Sequence, residues 1–358
     1  MIARNTAFTY KGKPFDVKQI GRELNLRYVL EGSVQRSGNR LRVNVQLINA
    51  ESGAHLWAER FDKPVADLFD MQDEIVARLA NQLRSELIAF EARRAEQVQH
   101  PQSIDLYFRG MASVHIGGSP TNLSNARDFF EQVVTLDPGN VEALVGLAHC
   151  DAYLGGGLFG QDRTARLATA ETTLNRALSL APNNASAHQN MGHLMVFTNR
   201  ATLALSELER ALKLDPNLAA AHASIGLAKI TLGRAEETER HIDDALRLSP
   251  LDVTAYLWVA FAGFAKANLG LDEDAATRLR RAIELNRNYP IAHFWLAAVL
   301  ARWGRIEEAA HSVRVGLTFD PGYSLRNACA GAMSDNPIYL EQRERIYEAM
   351  RKAGVPEE

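Results

Sequence analysis

Three histidines, His115, His149 and His193, stand 34 and 44 residues apart in a chain of 358 residues. Imidazole takes up protons near neutral pH and ligates metals, so a stacked row would suit an anionic or metal-bearing partner, or a pH response near the unperturbed pKa of ~6.5. The alternative is a polar lining, because ligation needs convergent geometry that spacing does not supply. Phe197, Phe261, Phe264 and Phe294, with Arg302, carry the aromatic and guanidinium chemistry of binding hot spots. Core packing is the alternative for the rings. Gly155-x-Gly157-x-x-Gly160 spells the dinucleotide fingerprint. That fingerprint works only between a strand and a helix, and here it falls between two helical segments, so it reads as a flexible insertion. Arg36, Arg40 and Arg42 flank a turn; with a net charge of −3 they read as a solvated strand face rather than a nucleic-acid contact. No Gly-x-x-x-x-Gly-Lys-Ser/Thr loop and no metal-spaced Cys/His cluster occurs, so neither catalysis nor a cofactor is expected of this chain.

The elements that position these residues repeat. Ala177-Leu178-Ser179-Leu180-Ala181-Pro182 returns as Ala211-Leu212-Lys213-Leu214-Asp215-Pro216 and as Ala245-Leu246-Arg247-Leu248-Ser249-Pro250, with prolines 34 residues apart. A 34-residue period of paired helices is the signature of tetratricopeptide repeats. Such hairpins bury their apolar faces only by stacking. The expected array occupies 101–323 in six units: 107–140, 141–184, 185–218, 219–252, 253–289 and 290–323. Pro138, Pro182, Pro216, Pro250 and Pro321 close units, with Arg287 in the fifth place. Small residues mark close approach: Ala148, Gly192, Gly226, Ala260 and Ala297 in first helices, and Ala177, Ala211, Ala245 and Ala282 in second helices. Gly155, Gly233 and Gly304 are expected to end first helices in left-handed geometry, with Asn199 in that place in the third unit. The second unit is longer by about ten residues between its helices, and the fifth by three near Asn268-Leu269-Gly270-Leu271-Asp272.

In this register His115, His149 and His193 share the ninth slot, which faces the concave groove of such arrays. His188, His222 and His293 share the fourth slot and read as packing residues that keep a polar tip. Chaperone-binding arrays carry Lys and Asn in slots five and nine; Met111/His115, Val145/His149 and Gln189/His193 depart from that pattern. Residues 324–358 hold a capping helix over Tyr339 to Lys352, ended by Gly354.

Composition is ordinary for a globular chain, with 46% apolar and 23% charged residues. Residues 1–100 carry 15 basic and 13 acidic groups and the remainder 25 and 30, so neither part has the basic excess of a nucleic-acid surface. Two cysteines, Cys150 and Cys329, no signal-peptide run and no apolar stretch of membrane-spanning length point to a cytoplasmic setting.

Residues 1–100 change period. Asp16 to Leu24 reads as a helix with an Asp N-cap. Tyr28-Val29-Leu30, the alternating Leu41/Val43/Val45/Leu47 and Ala54 to Phe61 read as strands joined at Ser37-Gly38-Asn39 and Ser52-Gly53. Asp67 to Arg94 reads as a long exit helix. The run Phe15 to Leu24, then Arg27 to Val34, then Gly53 to Arg60, resembles the TolB-amino-terminal-like region that precedes tetratricopeptide repeats in bacterial class III adenylate/guanylate cyclases and winged-helix transcriptional regulators. The tail Arg351 to Glu357 resembles the ends of the same proteins. The resemblance implies a mostly α fold: an α-solenoid of about six hairpins behind a small, truncated α/β module at 1–100 whose first strand and helix would precede Met1. It further implies a non-enzymatic scaffold or sensory portion of a signalling protein, binding another protein in the groove. The alternatives are part of a cyclase with its catalytic domain elsewhere, or an accessory part of a transcriptional regulator. The incomplete sheet would offer an edge for oligomerisation.

Overall fold

The structure, a computed structural model, describes residues 16–24, 26–64, 87–93, 102–116, 119–156, 162–250 and 252–358. It divides into two compact units, Met1–Leu87 and Ile88–Glu358.

In the first unit, helix α1 (Val17–Leu24) begins where Asp16 Oδ1 accepts the Lys18 amide at 2.9 Å. Strands β1 (Tyr28–Ser37), β2 (Arg40–Asn49) and β3 (His55–Pro64) form an antiparallel sheet in that order. Gly38 turns β1 into β2 with φ 59°, and Gly53 turns β2 toward β3 with φ 76°, a backbone region open to glycine because it has no Cβ. Val45, Leu47, Trp57 and Phe61 are buried together. The arginines flanking the turn serve the sheet itself: Arg36 Nε donates to Gly38 O at 3.4 Å, and Arg40 and Arg42 reach Asp62 at 2.8 and 3.2 Å, as does Arg60 of β3 at 3.3 Å. Hydrogen bonds from Arg40 and Arg42 hold the Asp62 carboxyl down to about 2. The exit helix expected over 67–94 lies outside the described residues except for helical residues 87–93.

The second unit is a run of helix hairpins: α2 (Ser103–Ile116) with α3 (Pro120–Leu136), α4 (Val141–Gly156) with α5 (Arg163–Leu180), α6 (Ala185–Phe197) with α7 (Ala201–Leu214), α8 (Ala219–Thr231) with α9 (Thr238–Leu248), α10 (Ala255–Asn268) with α11 (Asp272–Leu285), and α12 (Pro290–Arg302) with α13 (Ile306–Phe319). Side chains cap several starts: Ser119 Oγ accepts from the Asn122 amide at 3.2 Å, and Asn184 Oδ1 from Ala187 at 2.8 Å. The expected small positions are where the helices meet. Ala148, Ala260 and Ala297 are fully buried, as are Ala177, Ala211, Ala245 and Ala282. A Cβ on Gly192 would lie 2.6 Å from Leu208 Cγ. A second column went unread in the sequence: eight residues before the first five proline places stand Phe130, Leu174, Leu208, Ile242 and Leu279, all fully buried, and before the sixth stands Val313, 4% exposed. Large residues in second helices fill the space that small residues in first helices leave, which is how close packing reaches interior density.

Several details differ from expectation. Gly155 stays inside α4 rather than ending it, pressed against Arg163, Arg166 and Leu167 of α5. Asn199, Gly233 and Gly304 do adopt left-handed φ of 56°, 73° and 82°. The long second unit spends part of its insertion on helix: α4 and α5 have 16 and 18 residues, against 13 and 14 for α6 and α7. Gly157 and Gly160 lie outside the described residues. In the fifth unit the extra length sits mainly before α10, whose start at Ala255 leaves a connection over 249–254 where 215–218 suffices one unit earlier. The first hairpin begins at Ser103, ahead of the expected start at 107.

Two more helices follow, α14 (Leu325–Ala330) and α15 (Pro337–Ala353), the latter ended by Gly354 at φ 92°. Among the described residues, no helix is long and apolar enough to cross a membrane.

Candidate binding wall

The first helices α4, α6, α8, α10 and α12 stand side by side, and slot nine of one meets slot six of the next. His149 on α4 lies 3.0 Å from Asn190 Oδ1 on α6 through its Nδ1. His193 on α6 lies 3.0 Å from Ser224 Oγ on α8, again through Nδ1. Asn190 Nδ2 donates to Ser186 O and to Gln189 Oε1, so its oxygen is left to accept and His149 carries the Nδ1 proton. Gln189 Nε2 then donates to Ser224 Oγ at 3.2 Å. A continuous polar chain therefore runs from His149 to His193 across three hairpins.

His115 breaks the series for a steric reason. Slot six in the next unit is Gly146, whose missing Cβ makes room for Phe130: a Cβ there would sit 2.7 Å from the ring. With no side chain to meet, His115 Nδ1 turns back on its own helix to Met111 O at 2.7 Å.

The rings that fix this cluster include one that sequence reading missed. Tyr153, one turn beyond His149, lies 4.5 Å from that ring and 4.9 Å from His193, stacked on the latter at 16°. Phe197 closes edge-on against His193 at 4.7 Å. Burial pushes His193 down to about 3, helped by His149, and lowers His149 as well. Both rings are therefore neutral at pH 7, which removes the cationic row that an anionic partner would need. Among the described residues, no three His, Cys, Asp or Glu side chains converge as a metal site.

The other expected contacts divide. Phe264 and Phe261 are nearly buried, at 7% and 8% exposure. Phe264 packs on Trp295 of α12, a half-buried ring that the reading passed over, with centroids 4.3 Å apart. Phe294 does not face a groove: it has no exposed surface and stacks on Tyr323 at 3.7 Å and 10°. Its ring takes the space beside Gly316 of α13, so it belongs to the core. Arg302 is engaged as well, with Nη2 2.7 Å from Ala267 O and Nε 3.0 Å from Asp272 Oδ1, tying α12 to the preceding hairpin. What remains reachable on the wall is Phe197, His149, His115, Tyr153 and Trp295, all half-buried.

Two of the three fourth-slot histidines, His188 and His293, are buried and share a bond, whereas half-buried His222 lies 6.4 Å from the His241 ring. His188 and His293 each donate Nε2–H to the carbonyl six residues back, Pro182 O at 2.9 Å and Arg287 O at 3.0 Å. These carbonyls belong to the proline place of the preceding unit.

Among known structures, the chain is similar to the Cut9–Hcn1 hetero-tetramer of the APC/C, with a TM-score of 0.54 and 16% identity over 79% of this chain and 49% of that one. It is also similar to a monomeric IFIT1 mutant solved with m7Gppp-AAAA, with a TM-score of 0.55 and 14% identity over 81% of this chain and 67% of that one. The fold is a tetratricopeptide-like α-solenoid. In sequence, 150 residues are 41% identical to "Putative adenylate cyclase 3" of Rhizobium meliloti (strain 1021). That match covers 41% of this chain and 25% of the relative, so the chain spans about a quarter of the curated relative it matches. No protein-family model matches the chain.

Proposed function

We propose that this chain is an interaction scaffold, the regulatory portion of a bacterial signalling protein, and that its first-helix wall binds a peptide or helix of another protein. The observation that carries this reading is the set of half-buried rings on first helices, Tyr153 and Phe197 on α4 and α6, which a polar chain links, and Trp295 further along on α12. Ordered, partly exposed aromatics on a rigid helical wall are suited to capture an apolar helix face. The test is a photo-crosslinking residue placed at Phe197 or Trp295 in the full chain, with exposed Glu209 of α7 as control. A discrete protein adduct is expected at the wall positions and not at Glu209. Adducts at Glu209 alone would overturn the wall as the binding face.

The 41% identity to a cyclase-named protein is consistent with a second reading, in which the chain is part of an adenylate or guanylate cyclase and catalysis lies on other sequence. Purified chain is then expected to show no turnover of nucleoside triphosphate with Mg²⁺ or Mn²⁺. Robust turnover would put the chemistry here and sink the scaffold reading. Strand β1, with Leu30 49% and Val34 68% exposed, is the edge on which a second copy would add a strand; a monomer by light scattering at all concentrations would remove that possibility.

A further inference from the structure

The last helix does not take the place that a seventh hairpin would give it. A further first helix would pack on the preceding array chiefly through α13, as α12 packs on the helices before it chiefly through α11; α15 instead lies mainly on α12, and touches α13 and α10 only lightly. It therefore lies on the wall of first helices. Its buried seam runs Tyr339, Gln342, Ile346, Tyr347, Met350 and Ala353, one face of an amphipathic helix. Glu341, Glu344, Arg345 and Glu348 face solvent. An apolar helix face laid into a helical groove is a recurrent mode of recognition between chains, and here it is made within one.

The two ends of this segment are held very differently. At the C-terminal end Ile346 and Met350 have no exposed surface, and Tyr347 donates its hydroxyl to Ala328 O at 2.9 Å. The chain beyond Gly354 is tied down by Leu325 N to Pro356 O at 2.9 Å and Arg326 N to Glu357 O at 3.1 Å. At the other end, residues 332–338 reach back along the array to the turns of the third and fourth hairpins. The Asp335 amide donates to Asn199 Oδ1 at 3.1 Å. Gly233 leaves the room they need, since a Cβ there would lie 2.8 Å from Ile338 Cβ and from Asn336 Oδ1. Yet Ile338 and Leu340 remain 54% and 43% exposed. One hydrogen bond, a glycine-sized gap and the buried Ser334, Tyr339 and Gln342 hold this end around exposed Ile338 and Leu340, whereas a closed core holds the other.

We propose that residues 332–342 are a displaceable strap, so that this segment occupies its part of the groove until a partner helix with a matching seam, aromatic at the position of Tyr339 and an amide at that of Gln342, replaces it. The partner side of this rests on the scaffold reading; the strap itself can be tested without any partner. A tethered occupant competes at an effective concentration on the order of millimolar, so free partner meets a groove already filled.

The experiment uses the full chain and two variants. Asn199→Gly removes the acceptor while keeping a turn at φ 56° that glycine tolerates. Asp335→Pro removes the donor instead. Hydrogen exchange of residues 336 and 338–342 is expected to quicken about three- to tenfold in either variant, the worth of one hydrogen bond, with residues 346–353 and α12 unchanged. A labelled peptide of residues 332–342 is expected to bind both variants tighter than the unaltered chain by the same factor. If all of α15 exchanges together with α12 and neither variant alters it, the segment is a fixed part of the core and the strap is overturned. If the amides quicken but the peptide gains nothing, the groove-occupant role is overturned. Absent photo-adducts beside a positive strap result would count against the scaffold reading alone.

Discussion

Tyr153 and His193 stack face to face across neighbouring hairpins, ring centroids 4.9 Å apart and planes 16° apart. His193 has 2% exposure, bonds Ser224 through Nδ1, and leaves Nε2 buried without a partner among the described residues. A ring so enclosed is stable only while neutral, because a charge there would lose its water and gain nothing to pair with. Held neutral in this way, His193 is not poised for proton transfer at neutral pH.

Acid is expected to destabilise the array through this site. His193 is held down to about 3 in the folded chain, against ~6.5 unfolded, so between those values the unfolded state binds the extra proton. Its stabilising share is complete above pH ~6.5 and is lost as pH falls toward 3. The slope approaches ~1.4 kcal/mol per pH unit for one such proton, and lowered His149 adds with the same sign. Urea midpoints measured between pH 7 and 4 check this; His193→Gln is expected to flatten the fall.

Phe294→Ala is expected to cost about 3–5 kcal/mol, as for other fully buried phenylalanines. The loss includes the stack on Tyr323 at 3.7 Å. Chemical denaturation measures it. Trp295→Ala, next along the chain but half-buried, is expected to cost less stability and to reduce photo-adduct yield from Phe197.

Gly146→Ala sets two effects against each other. Helix propensity favours alanine by up to ~1 kcal/mol. The new Cβ would lie 2.7 Å from the Phe130 ring, and on its other side a Cβ at Gly110 would be equally close, so the ring has nowhere to retreat. Overpacking of this kind costs about 1–3 kcal/mol, so net destabilisation is expected and a lowered Tm is the measurement.

Arg302→Lys is expected to lower stability by about 1–2 kcal/mol, because an ammonium cannot reproduce the fork to Ala267 O and Asp272. Photo-crosslinking at Phe197 is expected to be unchanged. A reduced adduct with unchanged stability would instead make Arg302 a partner contact.

The array was legible in the sequence because its cause is local. Proline at the end of a unit, alanine five residues before it and glycine or asparagine in the left-handed turns each act within one hairpin, so their spacing carries the fold. The strands were legible for the same reason, through alternation and the turns at Gly38 and Gly53. Exposure was not legible. Phe261, Phe264 and Phe294 share a residue type, yet their surroundings depend on Trp295, Tyr323 and Gly316, which other helices bring. His115, His149 and His193 share a slot, yet the next unit's slot-six residue decides the partner: Asn190 for His149, Ser224 for His193, and with Gly146 there His115 turns back to Met111 O.

The sequence by itself determined that hairpins form and stack, since helix period, caps and small-residue contacts are properties of short segments and their immediate neighbours. Only the tertiary structure decided which rings face the wall and where the final helix rests. Both depend on how far each hairpin rotates against the next, which brings Asp335 to Asn199 across 136 residues of chain. No local pattern encodes that distance; it is the sum of every packing contact between them.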